Sequence, residues 1–443
     1  MTRPKTMTSP GESVIRTESN RAAPPRNGGS LGIGLNLHQG KWKATARQVA
    51  RDILAPKAAE ADREGSFVRA GIEALGRFGL MGLCVPQEYG GEGIDLLAVV
   101  IATEELAQGC ASTAMCYVMH SCAVLPIVAA GTAEQMDRFV RPVPRGELLY
   151  SLSASEPGSG THLWHVDSYA ERTKDGYEVD AFKAWATSAG ESNYYVIPVR
   201  ARRDASSDDL DLFLVDAADP RVTPVGRWDG LGMRGNASTP VRFDHCLIPV
   251  SQRLGREGIG FPVLMAFNVP IYLLALAGLY LGLAQRARDV AVGHVKKRIH
   301  SDTKQALAER GVVQRYVAEM DCDIERTRSY LYEVTRILSH ITDTLLELAK
   351  ADLLDQVLDR FYKEDAMLVV AKAKIMATEM VLGVVDKAFQ LCGGAGYRRG
   401  HEIERIYRDA RAGTFMAPDN DTLKEIIGRR ACGLSYPWDT GRD

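Results

Sequence analysis

The sequence predicts an α+β fold in segregated layers: an N-terminal helical domain, a central β-domain and a C-terminal four-helix bundle. Three observations carry that expectation. Apolar residues recur at helical spacing from Lys41 to about Glu147. Short β-branched and aromatic runs, punctuated by Gly, Asp, Asn and Ser, fill about Leu148 to Pro249. Long apolar and amphipathic runs return from Phe261 onward.

Residues 1–40 read as a disordered tail. They are rich in Ser, Thr, Pro, Gly and Arg, and Pro24-Pro25 and Gly28-Gly29 break any helix. The tail lacks the apolar stretch of a secretory signal, and Glu12, Glu18 and the prolines argue against an organelle transit peptide. In 41–147, Val49, Ile53 and Leu54 share a helical face, as do Val68, Ile72, Leu75 and Phe78. Leu97, Val100, Ile101 and Leu106 form another such face, with Glu104 and Glu105 between. Pro86 to Gly91 is a turn. In 148–250, Tyr177–Val179, Tyr194–Val199, Leu212–Val215 and Val241–Phe243 read as strands. In 251–443, Val269–Ala284 is apolar or small throughout, yet shorter than the roughly 20 residues that cross a bilayer. A helix buried between helices is expected there. Residues 312–349 and 361–391 are amphipathic.

The 443 residues suffice for a large core without disulfides. Lys and Arg total 54 against 56 Asp and Glu, so there is no charge excess for a nucleic-acid partner. Neither a nucleic acid nor a membrane is expected as a partner. The eight cysteines form no C-x-x-C pair and no zinc spacing, which points to buried free thiols in a reducing, cytoplasmic setting. Asp321, Asp323 and Glu325 read as a solvated helix face, and no metal is expected.

Five blocks carry a stronger signal. They are Ser153 to Thr161, Lys183 to Gly190, Gly230 to Gly235, Gln390 to Tyr397 and Tyr407 to Ala410. Each alone is weak; in this order and spacing they resemble the acyl-CoA dehydrogenase superfamily of FAD flavoproteins. The resemblance covers about residues 45 to 433 and implies FAD as cofactor. It implies that Trp185 and Thr187 lie against the flavin ring and that Ser155 and Thr161 contact it. Gly158 and Gly160 would let the backbone approach closely. Gln390, Gly393 and Gly394 resemble the segment that reaches the FAD of a neighbouring subunit. A homodimer or homotetramer follows. An acyl-CoA or a carrier-protein-bound acyl thioester is the implied substrate. An electron-transfer flavoprotein or a flavin reductase is the implied redox partner.

The sequence departs from the family at the base. Most members carry a glutamate after the Arg-Asp segment; that register gives Ala417, in Ala417-Pro418-Asp419. Others carry it on the buried helix; counting back from Gly282-Leu283-Ala284-Gln285 gives Tyr272, followed by Leu273. The catalytic base is therefore unassigned, with Asp419, Asp421, Tyr272 and His162 as candidates. The family's Arg-x-x-Phe-Gly string is replaced around Lys297-Arg298. The leading expectation is α,β-dehydrogenation of an acyl thioester with an atypical base. Alternatives are a flavin-dependent monooxygenase on the same fold and a non-catalytic flavin-binding subunit.

Overall fold

The computed structural model describes residues 34–438 apart from 164, 207–208, 352, 354–355 and 357–364. Most of the expected tail, residues 1–33, lies outside the described residues. Helix α1 (Leu37–Val49) begins inside the stretch expected to be tail, because Asn36 caps it. Asn36 Oδ1 accepts the Gln39 N–H at 2.8 Å, and Gln39 Oε1 accepts the Asn36 N–H. This reciprocal cap, Asn-x-x-Gln, is the signal the sequence reading passed over.

A π-turn (Ala50–Leu54) joins α1 to α2 (Ala55–Glu64), and α3 (Arg69–Arg77) follows. Next come α4 (Leu96–Gly109), α5 (Ala111–Ala130) and the single turn α6 (Ala133–Gln135). Helices α4 and α5 are apolar on nearly every face and buried on nearly every face. Glu104 and Glu105 are buried too, each answered by charge. Arg328 donates to Glu104 Oε1 at 2.9 Å and Arg47 to Glu105 Oε1 at 2.8 Å. Tyr332 adds a bond to Glu104 Oε2 at 2.7 Å.

The strands follow as one mixed sheet, in the order β6-β7-β3-β2-β4-β5-β8, with β1 also paired to β4. They are β1 (Tyr150–Leu152), β2 (Tyr169–Arg172), β3 (Gly176–Ala186), β4 (Tyr194–Arg200), β5 (Leu210–Asp216), β6 (Val222–Pro224), β7 (Thr239–Pro249) and β8 (Arg253–Leu254). Strand β3 pairs antiparallel with β7, Ala181 opposite Phe243, and β4 pairs antiparallel with β5, Ile197 opposite Phe213. Tyr177, Tyr195, Phe213 and Phe243 fill its core. Each such side chain contributes about 1.5–3 kcal/mol of burial.

After the turn α7 (Gly260–Val263) and a second π-turn (Leu264–Asn268), helix α8 (Val269–Lys297) runs through the helical layer. It packs on α4, on α9 (Gly311–Lys350) and on α10 (Ala366–Gly396). Helices α11 (Glu402–Arg411) and α12 (Asn420–Ala431) close the fold against α10. Two helical spans, Ala111–Ala130 and Gly260–Lys297, are apolar and long enough to cross a membrane. Their apolar windows are 89% and 100% buried inside the protein, as expected of core helices. Six cysteines are buried, while Cys322 and Cys432 are exposed. The acidic face of α9 is ion-paired: Asp323 to Arg326 and Lys387, Asp321 to Arg288 and Glu325 to Arg328.

Candidate active site

The loop after β1 is held from beneath by a buried ion pair. Lys183 on β3 is fully enclosed, and its Nζ donates to Glu156 Oε1 and to Pro198 O, both at 2.7 Å. Glu156 Oε2 accepts the N–H groups of Asp167 (2.7 Å) and Ser168 (3.1 Å), and the Ser168 hydroxyl donates to Oε1. Burial opposes ionisation, but the ammonium and these donors outweigh it and hold the Glu156 carboxylate below its ordinary range. Ser159 Oγ closes the turn by accepting the Glu156 N–H at 2.8 Å. A Cβ at Gly158 would sit 2.1 Å from Asp167 Oδ2, so any larger residue there would have to turn that exposed side chain away. The Ala184 N–H donates to Ser155 O at 2.8 Å and ties the loop to β3.

This loop forms one wall of a cavity of about 470 Å³. Ser155, Gly160 and Thr161 line it, with Trp185 and Thr187 from the end of β3. Trp185 is 60% exposed and meets Trp228 edge-on at 5.9 Å. The Thr187 and Ser238 hydroxyls are 2.9 Å apart. The facing wall is apolar and methionine-rich: Met115 and Met119 from α5, Leu264 and Met265 from the π-turn. Asn268, Val269 and Tyr272 continue it. The third wall is the segment between α11 and α12, with Phe415, Met416, Ala417 and Asp419. Lys374 of α10 anchors that segment from behind. Its Nζ donates to Met416 O (3.2 Å), Pro418 O (3.1 Å) and Asn420 Oδ1 (2.9 Å).

Ala417 and Tyr272, the two positions that the resemblance gives to a base, line the same cavity as Trp185 and Thr187. Burial pushes the Tyr272 phenol further above its ordinary range, so it stays neutral. Asp419 is the one carboxylate among the lining residues. Its Oδ1 caps α12 by accepting the Thr422 N–H at 2.7 Å, and its own N–H donates to Thr161 Oγ1 at 2.7 Å. Its Oδ2 takes no hydrogen bond from the described residues. Asp421 and His162 do not line the cavity. Asp409 lies behind it, where Oδ1 accepts the Met233 N–H at 2.6 Å and burial pushes the carboxyl up to about 6.

Gln390, Gly393 and Gly394 do not join this cavity. They sit exposed near the C-terminal end of α10, where Gly393 breaks helical geometry with φ 55° and ψ −145°. The sequence reading missed Met115, Met119, Trp228, Met265, Asn268 and Phe415 as wall residues. Helix α5 carries no period that would have flagged the first two, because it is buried all round.

The cavity suits a flat, neutral ring. Neither the hydroxyl nor the N–H of Ser155 has a partner among the described residues, so both remain as donors. An indole face is open beside them, and among the described residues no Lys, Arg or His side chain lines the walls. Residues 37–147, 151–246 and 258–432 match the N-terminal, middle and C-terminal domains of the family described as acyl-CoA dehydrogenase. The chain belongs to the acyl-CoA dehydrogenase family. It is similar to the human mitochondrial short-chain specific acyl-CoA dehydrogenase, at 32% identity over 384 residues. That match spans 86% of this chain and 87% of the human protein. Among solved structures, butyryl-CoA dehydrogenase from Megasphaera elsdenii superposes with a TM-score of 0.80 at 23% identity, covering 90% of this chain and 99% of that one. A prolyl acyl carrier protein oxidase superposes with a TM-score of 0.77 at 21% identity, covering 90% and 100%. Acyl-CoA dehydrogenases are oxidoreductases acting on CH–CH bonds, with FAD as the usual cofactor.

Proposed function

We propose that this member of the family is an FAD-dependent dehydrogenase that desaturates an acyl thioester with Asp419 as the base. The observation that supports it is Asp419 itself, the one carboxylate lining a cavity shared with Trp185, Thr187, Ser155 and both family base positions. Ser155, Gly160, Thr161, Trp185 and Thr187 would hold the flavin from one chain, and Gln390, Gly393 and Gly394 from a neighbouring copy. The flavin would supply the hydride acceptor. The remaining work falls to the protein. The proton next to the thioester carbonyl is weakly acidic and needs a placed base. Asp419 Oδ2 is the available oxygen, while Oδ1 is held by the Thr422 N–H and the Asp419 backbone N–H is held by the Thr161 hydroxyl. The neutral Tyr272 phenol can donate a hydrogen bond but does not accept the proton near neutral pH. CoA or a carrier protein is the thioester's carrier, and an electron-transfer flavoprotein is the fitting electron acceptor. A homodimer or homotetramer would bring the Gln390 segment to its place.

Asp419→Asn tests this directly. Asparagine keeps the helix cap but not the base. The purified protein is expected to be yellow, and acyl-CoA is expected to bleach it anaerobically. In Asp419→Asn that bleaching slows at least about 100-fold, the range of general-base catalysis. Adding Ala417→Glu to the same variant restores it. Bleaching that survives Asp419→Asn unchanged removes Asp419 as the base. Bleaching only by a flavin reductase, with oxygen-dependent product, moves the reading to a monooxygenase, which needs no carboxylate at Ala417.

A further inference from the structure

The wall built by the second π-turn and α8 carries two polar groups without partners among the described residues. Asn268 is 3% exposed, and its Nδ2 donates to Cys122 O at 2.7 Å. That bond fixes the amide and leaves Oδ1 as its unpaired end, on a residue that lines the cavity. Tyr272, four residues on, also lines the cavity, and its hydroxyl bonds to no described residue. Residues four apart share a helix face, with Cβ atoms about 5–6 Å from each other. Their neighbours on this wall are apolar: Phe261, Leu264, Met265 and Val269. π-turns interrupt helices at functional sites more often than elsewhere, and this one presents Asn268.

An unanswered polar group away from water costs about 1–3 kcal/mol. A plain alkyl chain filling this wall would leave both groups unanswered. A carboxylate would bring charge against the Asn268 oxygen, with no Lys, Arg or His side chain lining the cavity to receive it. A hydroxyl satisfies both: its O–H donates to Asn268 Oδ1, and its oxygen accepts the Tyr272 O–H. We propose that Asn268 and Tyr272 form a subsite for a hydroxyl on the acyl chain, which makes a neutral hydroxyacyl thioester the preferred substrate class. The proposal rests on the acyl-thioester reading above.

The test titrates the flavin-loaded protein with hexanoyl-CoA, adipoyl-CoA and the 3-, 4-, 5- and 6-hydroxyhexanoyl-CoA isomers, following the flavin absorbance band. At least one hydroxy isomer is expected to bind about tenfold tighter than hexanoyl-CoA, and adipoyl-CoA weakest. Tyr272→Phe removes one oxygen and nothing else. It is expected to bring the preferred isomer to within about threefold of hexanoyl-CoA measured on the same variant. Asn268→Leu also loses the bond to Cys122 O, so Tyr272→Phe is the deciding variant. Hexanoyl-CoA binding as tightly as every hydroxy isomer overturns the subsite, as does a preference that survives Tyr272→Phe. If no thioester perturbs the flavin, the acyl-thioester reading falls, and the subsite with it.

Discussion

Lys374 is a fully enclosed ammonium whose hydrogen bonds run only to neutral acceptors: two carbonyls and the Asn420 amide oxygen, all within residues 416–420. Burial lowers it to about 8, so it remains charged at neutral pH. Its role is to position the wall that carries Ala417 and Asp419. Lys374→Met strips the donor from Met416 O and Pro418 O, while Asn420 Oδ1 keeps the Thr378 hydroxyl at 3.2 Å, and is expected to cost about 2 kcal/mol. Denaturant unfolding checks the magnitude. Hydrogen exchange checks the location, since amides of 416–420 should quicken more than those of α8. The sequence concealed this residue. A lysine in an amphipathic run reads as solvated, and only the packing of α12 against α10 turns it inward. Trp185, Thr187 and Ser155 were legible as residues of one site, all three lining the cavity, because their blocks hold fixed spacing. Asn268 was not, because a lone amide beside an apolar run has no local signature.

At the scale of elements, the loop after β1 is held on β3 by one buried ion pair and by the Ala184 N–H to Ser155 O bond. Removing a single partner of such a pair strands a charge and costs about 3–5 kcal/mol. Lys183→Met should therefore destabilise the protein by that amount and weaken flavin retention. The double variant Glu156→Gln with Lys183→Met should cost less than the two single losses combined. Thermal unfolding of the three variants reads this out. The longer strands β3, β4, β5 and β7 were legible as apolar, β-branched runs. The short strands β1, β2, β6 and β8 were not, since two to four residues carry no period and exist by pairing with longer neighbours. The burial of Glu104 and Glu105 has no local signature either, because it depends on Arg328 and Arg47 arriving from distant helices.

Across the whole molecule, His120 links the helical layer to the sheet, its Nδ1 accepting the Tyr150 N–H at 3.2 Å. Burial lowers it to about 3. A histidine depressed in the folded state contributes stability above its unfolded pKa of about 6.5 and loses it as pH falls toward 3. At pH 5 that loss is about 2 kcal/mol. Asp409 and Asp211 act oppositely, because burial raises both to about 6. Their contribution is full below about 4 and is lost as pH rises through 6. The urea midpoint of His120→Asn, which keeps an acceptor for Tyr150, should fall less between pH 7 and pH 5 than that of the parent. Asp409→Asn, which keeps the acceptor for Met233, should fall more. The order of layers was readable from periodicity alone, because helices and strands occupy separate stretches of the chain. The joints between layers, such as His120, were not.

Five of the cavity's lining residues are methionines: Met115, Met119, Met233, Met265 and Met416. Thioethers are unbranched and swing freely about three bonds. A chamber upholstered this way moulds itself to its guest, so outline and length discriminate poorly between acyl groups. Whatever selectivity the enzyme has must come from its few stationary polar anchors, and evolution toward a new substrate would need to move only those.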